Sequence, residues 1–456
     1  MDYKELKKDL LIVGILVSFL TPFVRSSINL ALPALANEFD LSAVFLTWIS
    51  TIYLLVNAIL YIPFGRIGDI YGRKRIFQYG LIIFTVSSFI SAFSTSGEMF
   101  LFIRIFQAIG NAMIFANLNA MISSAFPENE RGRAFGLTSM GVFVGLIIGP
   151  ILGGAITEVL GWRTLFYLDT VIGIIAAYAI TRFKHDWIDA DGEKLDIIGS
   201  FLLGMSLIAI IYGLSEFTNN YSLFLVIAGI IGLSIFYLVE KRVAFPLINL
   251  DLFNNKSFTF GNITAFINYG AFVSIGFILS LYLQYLKGYS PLTAGLIISI
   301  QSIMMVLVSP FAGRLSDKID PGKVSTIGML LTTIGIALMT LINFENASYL
   351  GAFSLIVFGA GIGLFYSSNT KVVMSAVDKK YFGVASATLS NMRSMGQIFG
   401  MGVVMIIIST ILGNAQIIPT NYPELITSLK ISLVAIAVLS AVGIFTSIFK
   451  DPNTNK

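Results

Sequence analysis

The chain has 456 residues, of which 56% are hydrophobic and 12% charged, and its mean hydropathy is +0.85. A soluble domain carries about 25% charged residues and cannot hide this much apolar surface in one core. A soluble enzyme, a disordered chain and a nucleic-acid binder are therefore excluded in favour of an all-α integral membrane protein, and the net charge of +4 belongs to loops on one side of a bilayer.

Apolar runs of about 20 residues, enough to cross roughly 30 Å of hydrocarbon, recur along the chain. The first is predicted over 10–31. Lys4, Lys7 and Lys8 precede it and Ala34-Leu35-Ala36 follows, as in a cleaved signal peptide, but the run is long for one. Arg25 and Asn29 lie within it. The second, 45–65, leads into Gly65-Arg66-Ile67-Gly68-Asp69-Ile70-Tyr71-Gly72-Arg73-Lys74-Arg75, where Asp69 is the one acid among cations. The third is predicted over 76–95 and the fourth over 99–122, opening on Arg104-Ile105-Phe106-Gln107. An arginine inside a span faces a cavity or a partner, or snorkels to the interface. In the fifth, 134–157, Gly141, Gly145, Gly149 and Gly153 recur every four residues, beside Pro150 and Gly154. Such glycines share one helix face and let a neighbouring backbone approach. The sixth, 164–182, carries Asp169. Further spans are predicted over 197–216, 221–240, 258–285, 292–312, 324–343, 347–369, 383–411 and 430–449, about fourteen in all. None alternates as a barrel strand would.

With the N-terminus placed in the cytoplasm, the outer loops hold only Arg163, Lys287 and Lys430, while Arg25, Arg104 and Arg393 fall inside helices. Every other lysine and arginine then falls on the cytoplasmic side, the asymmetry expected of an even number of spans with both termini inside. A repeat supports two halves. Gly65-Arg66-Ile67-Gly68-Asp69 returns about 250 positions later as Gly313-Arg314-Leu315-Ser316-Asp317, and Gly132, Ser139, Gly145 and Gly149 return as Gly383, Ser390, Gly396 and Gly400. Two six-helix halves with a site between them at mid-membrane is a transporter plan. The expected division is a six-helix bundle over 1–190, two extra helices over 191–256, and a second bundle over 257–456.

The loop after the second helix, the Arg104–Gly110 string and the Gly141–Gly154 string together resemble the major facilitator superfamily. The runs Ile28–Pro33 and Gly161–Phe166, with later segments at 246–253, 284–295 and 383–400, look like its fourteen-helix drug:proton antiporter branch. The resemblance implies alternating access, a cytoplasmic gate at Asp69 and Arg73 with their repeat Asp317 and Lys318, a coupling role for Arg104, and export, since the glycine string is concentrated among exporters. Substrate and coupling candidates are Arg25, Asn29, Arg104, Gln107, Asp169 and Arg393. Val24 stands where the branch usually has an acid, Asp169 replaces an asparagine and Val171 a proline.

These departures leave Arg25, Arg104 and Asp169 in the outer half of the membrane, two cations and one acid. Asp169 is expected to pair with Arg104 or Arg25, leaving one arginine for anionic or polar neutral cargo. The other polar groups suited to a cavity are Asn57, Asn111, Asn117, Asn268, Gln284, Gln301 and Asn391, each also suited to interhelical hydrogen bonding. The expected function is secondary transport in the plasma membrane, exporting small organic compounds. The alternative is a carrier of anionic or neutral metabolites without proton coupling. A membrane-embedded enzyme has no support in H-E-x-x-H, G-x-S-x-G or P-loop patterns. The absence of cysteine and the single histidine, His185, remove thiolate and His-based chemistry, so no metal and no cofactor is expected. The expected partners are the bilayer, a small-molecule substrate and, left open, a proton or other ion.

Overall fold

A computed structural model describes residues 3–183, 186–188, 192, 195–217, 219–243, 247, 250–342, 347–378 and 382–449. The predicted loop positions Lys184, His185, Lys194, Pro246, Lys379, Lys380, Lys450 and Lys456 lie outside them. Fourteen α-helices form: α1 Tyr3–Phe39, α2 Ala43–Tyr71, α3 Arg73–Ser91, α4 Gly97–Ala125, α5 Glu128–Leu160, α6 Arg163–Thr181, α7 Ile197–Ser215, α8 Ser222–Glu240, α9 Lys256–Leu281, α10 Pro291–Lys318, α11 Pro321–Thr340, α12 Ala347–Ser375, α13 Phe382–Ile411 and α14 Tyr422–Ile448. Hydrocarbon offers no partner to a free backbone amide, so apolar runs of this length close their hydrogen bonds within the helix. Several starts are written in the sequence: Ser42, Ser96, Asp196, Asn255 and Ser290 each accept a backbone N–H from the first turn they precede.

Among the described residues thirteen of these helices are long and apolar enough to cross a membrane by themselves. The exception is α3. Its first turn is Arg73-Lys74-Arg75, and Thr85, Ser87, Ser88 and Ser91 are buried along it. At 19 residues it is still roughly 28 Å long and packs lengthwise on α4 and α6. Most helices overrun the apolar stretch that announces them; α1 ends at Phe39, beyond the predicted 31, because a helix need not stop where the lipid does.

Helices α1–α6 and α9–α14 pack by one scheme. The pairs α1/α5, α2/α4, α3/α4, α3/α6 and α1/α6 recur as α9/α13, α10/α12, α11/α12, α11/α14 and α9/α14. The halves meet chiefly through α5 against α10 and α13 against α2. Helices α7 and α8 pair with each other, and α7 lies on both α2 and α13.

Glycine makes the tightest of these contacts possible. A Cβ at Gly141 would lie 2.5 Å from the carbonyl oxygen of Ile15, and one at Gly145 2.5 Å from that of Phe19. A Cβ at Gly153 would lie 2.6 Å from Ser27 Cα, and one at Gly149 would overlap Ser26. Their repeats Gly396 and Gly400 meet Phe266 and Gly270 of α9 in the same way. Gly154 meets Pro291 of α10, and Gly295 meets the carbonyl of Pro150, so the α5 string also sets the approach of the two halves. Gly145→Val and Gly396→Val are each expected to destabilise by about 1–3 kcal/mol through overpacking and to lower the melting temperature of the detergent-solubilised protein. Gly136→Ala, whose Cβ would meet nothing within 4 Å, should not lower it.

Candidate functional site

The start of α1, the end of α14 and the described residues of the basic loops lie at one end of the bundle; the 40–42, 161–162 and 412–421 connections share the other. Between these ends, α1 holds Arg25 at the seam of the halves. Its Nη1 donates to Gln397 Oε1 of α13 at 2.8 Å. Two cavities adjoin the guanidinium. The larger, about 150 Å³, lies toward the basic end, with Thr21, Phe143, Asn268, Tyr269, Phe272 and Tyr366 in its wall. The smaller, about 50 Å³, lies toward the opposite end and is lined by Ser26, Asn29, Gln301 and Ser302 among others. No aspartate or glutamate lines either one. Gln301 Oε1 and Asn268 Oδ1 are buried without a hydrogen-bond partner. Arg393, on α13, supports the larger cavity from behind. Its guanidinium lies 4.6 Å from the Tyr366 ring and 5.1 Å from the Tyr269 ring, and Nη2 donates to Thr370 Oγ1 at 2.6 Å.

Arg104 lies apart from this cavity, inside the first half. It is 1% exposed, donates to Gln107 Oε1 at 2.5 Å and sits 4.5 Å above the Tyr53 ring. Gln107 in turn donates to Ser88 at 2.8 Å. The expected ion pair of Asp169 with Arg104 or Arg25 does not form. Arg25 reaches Gln397 instead, and the fork of Arg104 is occupied one turn along its own helix by Gln107. Asp169 is 1% exposed and its Oδ1 has no hydrogen-bond partner; Arg104 acts on it through space. Of the polar candidates, Asn29, Asn268 and Gln301 reach a cavity. Asn111 accepts from Thr21 and donates to Asn57 Oδ1 at 2.6 Å, and Asn57 donates to the Tyr53 carbonyl. Asn117 holds the Phe64 and Met113 carbonyls, Gln284 bonds Ser280, and Asn391 faces Met395. Sequence reasoning missed Gln397, Tyr53, Tyr269 and Tyr366, because aromatic residues in spans are usually lipid-facing or packing groups.

At the basic end Asp69 and Arg73 form an ion pair at 2.7 Å, and Arg73 also donates to Ser124 of α4 at 2.8 Å. Asp317 does not use Lys318, which is exposed; its partner is Lys371 of α12, at 2.6 Å. The loop after α2 turns at Gly72, where φ is +112° and a Cβ would overlap Asp186. Asp186 accepts from the backbone N–H of Lys74 at 2.8 Å and of Arg75 at 3.3 Å, capping α3 from the segment after α6. These ties of Asp69, Arg73 and Asp317 each join helices of one half.

The halves are joined across the opposite end. Ser42 and Gln416 form an antiparallel bridge, Ala43 N–H donates to the Ala415 carbonyl at 3.0 Å, and the Gln416 side chain donates to the Asp40 carbonyl at 2.9 Å. Nearby, Leu292 N–H donates to Glu158 at 3.1 Å, and Ser280 donates to the Asn29 carbonyl. The seam is therefore closed at this end, and the larger cavity lies on the other side of Arg25.

Two pseudo-equivalent six-helix halves around a mid-membrane cavity define a secondary-transporter fold. The Major Facilitator Superfamily model matches residues 14–195 and 261–456, and the chain belongs to that family: it is a multi-pass membrane transporter and not an enzyme. It is 32% identical to the riboflavin transporter RibZ of Clostridioides difficile over 385 residues, 84% of each chain. It is 26% identical to the multidrug resistance protein Stp of Mycobacterium tuberculosis, covering 86% of this chain and 73% of that one. In fold it is similar to a bacterial homologue of the lysosomal transporter Spinster in an inward-facing conformation. There the TM-score is 0.69 and the identity 16%, over 98% of this chain and 97% of that one.

Bridged residues directly opposite each other lie about 4.5–5.5 Å apart at Cα, inside the span of a disulfide. The double variant Ser42→Cys/Gln416→Cys, in a chain with no other cysteine, is expected to form an intramolecular disulfide. It should show as a mobility shift after proteolytic nicking, and transport should be lost until reduction.

Proposed function

We propose that this chain carries planar, polar aromatic solutes, neutral or anionic, by alternating access. One observation carries the reading. The seam cavity has a guanidinium in its wall, Arg25, a second behind its tyrosines, Arg393, and no carboxylate among its described lining. A hydrophobic cation would meet like charge there. A flat ring with polar or anionic edges would stack on Tyr269, Tyr366 and Phe272 and accept from Arg25. The similarity to a riboflavin transporter supports the same class of cargo. At about 150 Å³ the cavity is smaller than the roughly 300–1,000 Å³ of sites that enclose a drug-sized ligand, so loading needs the halves to part at the basic end.

The basic end is assigned to the cytoplasm of a cell membrane by its lysines and arginines. The moving bodies are the bundles over 1–190 and 257–456, with 191–256 inserted between them. The Asp69–Arg73 and Asp317–Lys371 pairs stiffen the loops that separate and rejoin. A second reading, export of drug-like compounds, is favoured by the α5 glycine string and by relatives named for multidrug resistance.

The test is uptake into proteoliposomes of riboflavin, a small aromatic carboxylate and ethidium. Riboflavin or the carboxylate should move faster than ethidium. Arg25→Ala and Arg393→Ala should each slow them roughly 10- to 100-fold, as expected for a lost hydrogen bond to a charged group. Carriage of ethidium alone would overturn the reading in favour of the second. For orientation, single cysteines at Asp186 or Lys318 should resist an impermeant thiol reagent in intact cells, whereas one at Gln416 should react.

A further inference from the structure

Arg25 and its acceptor are each placed by a glycine clamp, one in each half. On α1, Arg25 precedes Ser26, which a Cβ at Gly149 would overlap. On α13, Gln397 follows Gly396, where a Cβ would overlap the Phe266 carbonyl of α9. A shift of either backbone would cost a helix contact, so the 2.8 Å bond from Arg25 Nη1 to Gln397 Oε1 crosses the seam between two fixed points. Gln397 is 9% exposed and lies outside the described wall of both cavities, whereas Arg25 lines both.

The acceptor is neutral where a charged one would fit. A guanidinium is held most strongly by a carboxylate, and glutamate has nearly the shape of glutamine. The amide satisfies one N–H and leaves the positive charge in place. Arg393 lies one turn earlier on α13, on the same helix face. A carboxylate at position 397 would therefore stand near two guanidiniums and cancel charge at the cavity wall.

We propose that Gln397 sets the charge selectivity of the seam cavity by holding Arg25 through a neutral acceptor. The guanidinium carries five N–H donors in a planar fork. Gln397 takes one through Nη1, and among the described residues no second acceptor holds Arg25. The charge and the remaining donors serve the anionic or polar edge of a solute, which meets a cation already fixed in direction, so less ordering accompanies binding. An organic cation meets the same charge with no counter-ion beside it. Gln397 touches no solute in this arrangement; it acts through Arg25.

As a statement about cargo this rests on the carrier reading, and the test separates the two. Uptake of benzenesulfonate and of ethidium into proteoliposomes is measured singly, both solutes being permanently charged, and the ratio of the two rates is compared across variants. Gln397→Glu should lower the benzenesulfonate-to-ethidium ratio roughly 10- to 100-fold, the change expected when one charged contact is cancelled. An ion pair would also tie the halves more firmly, so both rates should fall. A structural role alone would lower them together and leave the ratio unmoved. Gln397→Leu removes the acceptor without adding charge, and its ratio should equal or exceed that of the wild type. As large a fall in Gln397→Leu as in Gln397→Glu would show that shape and not charge matters at this position, and overturns the proposal. If Gln397→Glu does not assemble, Gln397→Asp brings the same charge and should move the ratio in the same direction. The melting temperature of the purified protein with each solute gives a readout that needs no transport: Gln397→Glu should lose stabilisation by benzenesulfonate relative to ethidium. A wild type and an acidic variant that respond identically to both solutes, in uptake and in melting temperature, overturn the proposal. A wild type that prefers benzenesulfonate, with a ratio that the acid does not move, overturns it and leaves the carrier reading standing. A wild type that prefers ethidium, with a ratio that the acid lowers further, supports the role of Gln397 and counts against that reading.

Discussion

A carbonyl oxygen of α1 occupies the place where a side chain of α5 would begin. Lipid supplies no hydrophobic drive to bring helices together, so association depends on how closely backbones can approach. Gly141, Gly145, Gly149 and Gly153 give α1 and α5 that approach over four turns, and Gly396 and Gly400 give it to α9 and α13. The same α5 string continues through Pro150 and Gly154 onto α10. One helix thus fixes α1 on one face and the second half on another. The position of Arg25, next to Ser26 where α1 meets Gly149 and facing the seam, follows from that clamp.

Three arginines, Arg25, Arg104 and Arg393, lie deep within the spans rather than at their ends, and among the described residues none of the three forms an ion pair with a carboxylate. Each is accommodated differently: Arg25 by an amide from the other half, Arg104 by an amide of its own helix and a ring, Arg393 by a hydroxyl and two rings. Cation–π and amide contacts hold a guanidinium without cancelling its charge. Direct carboxylate pairing would have neutralised the field around the cavity; these arrangements leave it positive.

The helix count, the two halves and the glycine face were legible in the sequence because each is a one-dimensional pattern. Span length, a repeat near 250 positions and a spacing of four survive without coordinates. The third helix was legible as the apolar run over 76–95, although Arg73-Lys74-Arg75 at its start and its buried serines dilute its hydropathy. Partner choice was not legible. Asp317 looked equivalent to Asp69, yet Asp69 finds a cation one turn away while Asp317 reaches across to Lys371, which lies in another helix. Asp169 and the two nearby arginines invited an ion pair on depth alone, but depth along the membrane carries no information about which way each side chain turns. The tyrosines that hold Arg104 and Arg393 had no signal at all, because an aromatic residue in a span reads the same whether it faces lipid, core or cavity.

The Asp186 cap has a mechanical meaning. The segment leaving α6 is fastened to the first half by two backbone amides at the start of α3 and by the bond from Arg73 N–H to the Trp187 carbonyl. Helices α7 and α8 hang from that fastening, and α7 touches both α2 and α13. At its other end the pair is fastened to the second half, where Asn255 caps α9 and donates to the Ala376 carbonyl after α12. The α7–α8 pair is therefore a strap anchored on both halves, not a part of either one.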